Sequence, residues 1–446
     1  MGTIARAAEA APEVTPEAVD VEPVWSGHRV GFSLLTDGDL QFVAYYDAER
    51  QMTVASREVG SAHWTFKKLP SHLKWDSHNY VTMALDSDGF LHVSGNMHAV
   101  PLVYFRSARP RDVATLERIK TMANPRLERR VTYPRFMKST KGELIFRYRD
   151  GGSGRGNDIY NVYDPDTKRW RALLDHPLLD GRGRMNGYFA MPKLGPDGMF
   201  HIAGVWRDTP DAATNHHLSY ARSPDLVHWE TASGRELKTP LTIRNIDIVD
   251  PIPPRRGLLN GNFRLAFDSR KRPVLNYHKY DEKGISQIWC ARFEDGRWRV
   301  RQVSKWKDYR WNFGGGGSLP PGGRVSAGAV EVIDGQDGRG RLSLSYVRDR
   351  ERGRWALDEE TLSVIGPAPA RKRPKTRTVP SYHKLESGFP GMGKRRAGDL
   401  GDSGVAGVRY QLVWESLGAN RDRPRKPPLP APSMLRVHRI VEPAAR

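Results

Sequence analysis

Cysteine is almost absent. Cys290, in the strand-like IWCARF, is the only one, so no disulfide can form within the chain and a buried apolar role suits it best. No stretch of about 18 apolar residues occurs, which excludes a membrane-spanning helix. The start, MGTIARAAEAAPEVTPEA, has no apolar segment of the kind a signal peptide needs, so no export signal is visible. Acid is scarce relative to base: 51 Asp and Glu stand against 71 Lys and Arg, a formal charge of +20. Such a balance favours a polyanionic partner, whether nucleic acid, an anionic membrane surface or an acidic polysaccharide. Part of the excess lies in ARKRPKTR (370–377), GKRRAG (393–398) and NRDRPRKPP (420–428), which suit solvated loops as well as binding surfaces.

Glycine (43), proline (32) and tryptophan (12) are plentiful, as in chains of many short strands joined by turns. The stretch Ser77–His98, SHNYVTMALDSDGFLHVSGNMH, reads as one hairpin: an apolar run, the turn DSDG, and a second run. The same form recurs in TDGDLQFVAYYD, TKGELIFRYRD, GPDGMFHIAGVWRD, DSRKRPVLNYHKYD and GRGRLSLSYVRD, and four of the runs that follow lead to Trp170, Trp229, Trp298 and Trp355. Repetition of about four short strands per unit is the signature of a β-propeller. The expected fold is all-β: one seven-bladed propeller over residues 23–446, its ring closed by N- and C-terminal strands. Residues 1–22 read as a disordered leader, and 366–403 as a basic Gly/Pro-rich insertion.

Antiparallel pairing puts residues equidistant from a turn at the same height. His78 and His98 flank DSDG in this way, Tyr133 and Arg149 flank Ser139–Gly142, and Tyr188 and Arg207 flank Gly195–Gly198. Arg29 and Tyr46 do so about Asp37-Gly38; in the fifth unit Asn262 and Tyr277, or Asn260 and Lys279, straddle Ser269-Arg270, with His278 beside them. Any one pair could be a structural cap. Strand ends of successive blades converge on one face, however, so the pairs would ring a single cleft rich in His, Tyr and Arg and poor in carboxylate. Glycosidic hydrolysis usually needs two carboxylates. A cationic site suits β-elimination at a uronic acid instead: a guanidinium neutralises the carboxylate, and His or Tyr moves the protons.

The run SHNY…GFLHVSGNMH, then VTYPRF…YRDGGSG, WRDTPD…TNHHLSYARS, DPIP…GLLNGN, YHKYD and RWNFGGGGS, resembles the BNR-repeat seven-bladed propeller family that includes ulvan lyases and rhamnose–glucuronate lyases acting on plant gum. The resemblance spans roughly 25 to 440. It implies a polysaccharide lyase with His78, His98, Tyr133 and Arg149 as catalytic residues: Arg149, helped by a histidine, neutralises the uronate, and a histidine and Tyr133 share the base and acid roles in an order left open. Asn79, Tyr188, Arg207, His216, His278 and Lys279 are the expected substrate-binding residues. No cofactor is implied for the chemistry. A structural divalent ion occurs in some members, but no Cys/His/Asp cluster with ligand spacing is evident, so the metal is unknown. The expected partner is an acidic polysaccharide or oligosaccharide, with no membrane or nucleic acid, and the chain is expected to be a monomer. Membership implies a secreted or periplasmic protein, at odds with the missing export signal. Two other readings stand beside this one. A sialidase-like hydrolase would need S-x-D-x-G-x-T-W boxes, and the nearest stretch, DSDGFLHV, lacks the Thr-Trp. A non-catalytic carbohydrate-binding propeller would need only the platform.

Overall fold

Short apolar strands separated by tight Gly/Asp turns have one easy way to satisfy their backbone groups, which is to pair antiparallel with the next strand. The computed structural model describes residues 17–315, 324–333, 340–371 and 376–442 and is built in this way throughout. Its strands fall into seven separate sheets, and among the described residues helix is limited to three short 3-10 turns. The first sheet runs Ser33–Asp37, Leu40–Tyr46, Gln51–Glu58 and Thr65–His72. The second begins with Val81–Leu85 and Leu91–Gly95, the third contains Val131–Lys138 and Leu144–Gly152, and the fourth contains Asn186–Phe189 and Phe200–Arg207. The fifth is built on Phe263–Phe267 and Pro273–Tyr280, the sixth on Arg341–Arg348 and Glu351–Asp358. The fold is all-β and propeller-like, as expected. No described helix is long and apolar enough to cross a membrane.

The seventh sheet joins the two ends of the chain. Glu17–Val24 pairs with Ser433–Val441, which pairs with Val408–Ser416 and then Gly393–Gly398. Covering the edge of Ser433–Val441 removes a row of open backbone groups. Two sequence expectations change here. The leader was expected to reach residue 22, but from Glu17 onward it is strand, with Trp64 Nε1 donating to the Asp20 carbonyl at 2.9 Å; residues 1–16 lie outside the described residues. The basic insertion at 366–403 is not all loop, because GKRRAG forms the strand Gly393–Gly398, and Arg395 bonds the Oγ and carbonyl of Ser416 at 2.9 Å each. Residues 372–375, and Gly316 and Gly317 of the glycine run, lie outside the described residues.

Apolar cores lie between successive sheets. One cluster joins Leu34, Phe42, Leu91, Phe105, Leu412 and Val437 of the first, second and seventh, and others link the second to the third and the third to the fourth. A buried polar unit repeats within this packing. His92 bonds Tyr104 and Asp86 through its two ring nitrogens, and His201 bonds Tyr220 and Asp197 in the same manner. Each turn aspartate therefore anchors the strand that follows it, satisfying the buried imidazole on both sides. Trp229, 1% exposed, fills the fourth unit and donates to the Leu226 carbonyl at 3.0 Å. Trp229→Ala removes that volume and is expected to cost about 3–5 kcal/mol of unfolding free energy. A urea titration reading less than about 1 kcal/mol would show that the indole is not part of the core.

Candidate active site

The loop WDSHNY enters the second sheet with Asp76 two residues before His78. Such spacing lets a carboxylate fold back on the backbone, and Asp76 Oδ1 accepts from the His78 amide at 2.8 Å and from His78 Nδ1 at 2.7 Å. Its other oxygen, Oδ2, lies 2.5 Å from His98 Nδ1. One carboxylate thus orients two imidazoles, whose ring centroids stand 4.4 Å apart. With Nδ1 committed to Asp76, each ring has Nε2 as its free nitrogen, and neither Nε2 has a protein partner among the described residues. The His78 and His98 side chains are 33% and 32% exposed, so both are reachable from solvent.

The hydrogen bond that His78 donates to Asp76 raises the proton affinity of His78 above that of a free imidazole, against the effect of burial. Burial alone would raise the Asp76 pKa, but the hydrogen bonds from His78 and His98 outweigh it and hold the carboxyl well below the usual range. His98 does not end the second hairpin, as the sequence suggested. After Asn96, whose φ is 60°, the chain leaves the second sheet, and His98–Val100 pairs with the edge of Val131–Lys138 in the third.

Tyr133 sits where that edge strand bulges. Thr132 pairs with Arg149 and Arg135 with Arg147, with a register shift between them, and Tyr133 has a φ of 60°. A bulge re-aims a side chain at a site, at some cost in backbone strain. The Tyr133 ring lies 5.9 Å from His78 and beneath the Arg149 guanidinium, 4.9 Å from its Cζ. Burial raises the Tyr133 pKa, partly countered by Arg149, so the phenol keeps its proton in the neutral range.

Arg149 is 5% exposed. Its Nη2 donates to Thr132 Oγ1 at 3.0 Å, while Nε and Nη1 are buried without a partner. Gly156 makes room for it: a Cβ there would stand 2.6 Å from Arg149 Cδ and 2.5 Å from Asn186 Oδ1. A buried guanidinium with two unpaired nitrogens is costly until an anion reaches it. It opens into a cleft of about 440 Å³ whose lining includes Tyr133, Tyr188, Asn186, Asn260 and Arg264. Among the described residues the only acid lining that cleft is Asp158, held by Arg147 Nε at 2.6 Å.

His78, His98, Tyr133 and Arg149 are therefore brought together, although of the four it is Tyr133 and Arg149 that line the cleft, and Tyr188 lines it too, with its hydroxyl 2.9 Å from Ser153 Oγ. The Arg207 Cζ lies 5.6 Å from the Tyr188 ring, but Arg207 pairs in register with Asn186 and spends its guanidinium on the carbonyls of Thr209 and Pro210. Five expected substrate-binding residues are not at the cleft wall, Arg207 and four others. Asn79 is buried, with its carbonyl taken by the Tyr46 hydroxyl. His216 is buried between Asp208 and His217. Lys279 pairs with Asp250 at 2.5 Å and lies over Trp289. His278 is fully buried with Nδ1 on the Gly257 carbonyl, and burial pushes its pKa down to about 4. The sequence reading missed Asp76, Asn186 and Arg264, whereas Asn260, one of its turn-flanking residues, does line the cleft; the Asp-x-His spacing of DSH was the available signal for the first.

Asp76, His78 and His98 are the one group among the described residues whose donor atoms lie close enough to suggest a metal ion. The fit is poor. Ligands about 2.1 Å from an ion stand roughly 3 Å or more apart, whereas both Nδ1 atoms lie at hydrogen-bond distance from Asp76.

The sequence matches the model described as "BNR repeat-containing family member" over residues 40–306. No curated protein matches it. Among solved structures it is similar to the polysaccharide lyase Uly1, with 13% identity, a TM-score of 0.59, and 96% of this chain and 100% of that one covered. It is also similar to a PL25 ulvan lyase bound to -[GlcA(1-4)Rha3S]-, with 13% identity, a TM-score of 0.54, and 90% and 93% coverage. At these identities the likeness is one of fold.

The bond to Asp76 stabilises the fold below the ordinary imidazole pKa of about 6.5, and that contribution is lost as pH rises through the higher folded value of His78. Titration of the His78 ring by NMR should give a pKa above about 6.5, falling in Asp76→Asn. An unchanged titration in the variant would remove Asp76 from its orienting role.

Proposed function

This chain belongs to the BNR repeat-containing family, and we propose that it is a polysaccharide lyase that cleaves a uronic-acid-containing polysaccharide by β-elimination on a seven-bladed propeller closed by Glu17–Val24. The observation that carries the reading is Arg149, a buried guanidinium with two unpartnered nitrogens beside Tyr133 and two half-buried imidazoles that solvent can reach. A uronate carboxylate placed on Arg149 becomes less able to repel a base, and the proton on the adjacent carbon becomes acidic. Asp76 favours the cation on His78, which helps hold the carboxylate; this leaves His98 Nε2 to take the proton. The carbon–oxygen bond to the leaving sugar breaks as the ring double bond forms, and the protonated Tyr133 phenol supplies a proton to the leaving oxygen. One proton is taken and one given, so no net acid is consumed. A repeating glucuronate–rhamnose polymer, ulvan-like or of the plant-gum type, is the substrate this reading favours.

Hydrolysis by paired carboxylates fits less well. Among the described residues Asp158 is the one acid of the cleft wall, committed to Arg147, and Asp76 is committed to the two imidazoles. Incubation with uronate polysaccharides should generate the ultraviolet absorbance of an unsaturated uronate. Arg149→Ala and His98→Ala are expected to lower its rate of appearance by about 10²-fold or more, with unfolding midpoints near that of the unaltered chain. Retention of near-native rates by either variant would remove that residue from the chemistry. Burial raises the Tyr133 pKa, so the pH profile of kcat/KM should show no alkaline limb due to Tyr133 below about pH 10. An alkaline limb near pH 8 that Tyr133→Phe abolishes would contradict the phenol as proton donor.

A further inference from the structure

A second cavity of about 420 Å³ adjoins the cleft and shares Tyr80 and Arg135 with it. Its charged lining is Arg29, Arg135 and Arg396, and among the described residues neither Asp nor Glu lines it. None of the three forms an ion pair among the described residues. Arg135 stacks on Tyr80, its Cζ 4.2 Å from the ring, and Arg396 donates to the Tyr382 carbonyl at 2.8 Å. Arg29 and Arg396 come from opposite ends of the chain, one ahead of the first sheet and one on an edge strand of the seventh, Gly393–Gly398. A nearby aspartate, Asp422, is held by the amide and hydroxyl of Ser77 at 3.0 and 2.8 Å, and its Oδ2 lies 3.5 Å from His78 Nδ1.

Two further observations point to a ligand. Trp414, 3% exposed, lines the cavity, and its Nε1 is buried without a partner. Phe32 stacks on Trp414 with ring centroids 4.5 Å apart, giving an aromatic floor of the kind that packs against sugar rings. Three guanidiniums around one space repel each other, and an anion between them converts that repulsion into attraction.

We propose that this cavity is a second anion subsite, in which Arg29, Arg135 and Arg396 take the carboxylate or sulfate ester of a sugar further along the chain whose uronate occupies the cleft. The inference rests on the reading that the cleft binds an acidic polysaccharide. It narrows the substrate to polymers whose charge recurs along the chain, so that two negative groups are held at once.

Calorimetric titration of the full chain tests this with three tetrasaccharides: an oligogalacturonate carrying carboxylates, a sulfated galactan fragment lacking uronate, and neutral maltotetraose. The double variant Arg29→Ala/Arg396→Ala is expected to lose about tenfold in affinity for at least one charged tetrasaccharide, a loss of about 1.4 kcal/mol, while binding an oligogalacturonate disaccharide as the unaltered chain does. Loss for the oligogalacturonate alone identifies a carboxylate subsite; loss for the sulfated fragment alone identifies a sulfate subsite. A control, Lys120→Ala/Arg301→Ala, removes two exposed charges elsewhere and should change neither. Arg29→Gln/Arg396→Gln repeats the test with side-chain bulk kept. If the unaltered chain binds neither charged tetrasaccharide, or the double variants bind both as tightly as it does, the subsite is overturned. Should affinity depend on these arginines while no polymer yields unsaturated product, the subsite stands and the lyase reading falls. Unsaturated product with arginine-independent affinity removes the subsite alone.

Discussion

One carboxylate shared by two imidazoles is the constraint on which the site depends. Asp76 sits on the loop entering the second sheet and reaches His78 on that loop and His98 on the strand that crosses to the third. Without it the rings would have no common reference and no fixed tautomer; with it, both present Nε2. The hydrogen bonds more than offset the cost of partly burying the carboxylate, which is why its proton affinity falls although burial acts to raise it. The rest of the site is placed relative to this pair. The bulge at Thr132–Arg135 turns Tyr133 toward His78, and Arg149 lies over the same phenol from the neighbouring strand.

Charge is distributed with the same economy. Acids near the cleft are spent on particular partners: Asp76 on the imidazoles, Asp158 on Arg147, Asp422 on Ser77. The arginines are not neutralised to the same degree, and Arg149, Arg29 and Arg135 form no ion pair among the described residues. The formal excess of +20 therefore has a local counterpart at the mouth of the propeller-like fold, where a polyanion would be drawn in and held.

Much of this was legible in the sequence because period and turn chemistry are local. The hairpin about DSDG has the register that its turn implied, Val81 opposite Gly95 and Leu85 opposite Leu91, although His78 and His98 lie beyond that ladder and meet through Asp76. Less legible were features that depend on departures from a regular ladder. A bulge moves Arg149 opposite Thr132, and Arg207 faces Asn186 where equal spacing from the turn suggested Tyr188. His278 is lost to the site because its strand is buried on both faces, Val274 through His278 all lying in the interior. GKRRAG looked like a solvated loop because its composition resembles one, whereas only tertiary pairing with Val408–Ser416 makes it a strand. Asp76 carried no signal beyond its spacing, as a carboxylate bridging two histidines on different sheets is a tertiary fact.

Elimination and hydrolysis differ in whether water enters the product, and that difference reaches the central claim most directly. Cleavage of a glucuronate-containing polysaccharide in water enriched in heavy oxygen, followed by mass spectrometry of the fragments, is the decisive measurement. The arrangement of Asp76, His78, His98, Tyr133 and Arg149 predicts fragments whose masses sum to that of the intact chain, with no heavy oxygen added at the cleaved bond. Heavy oxygen at the newly formed end would contradict it.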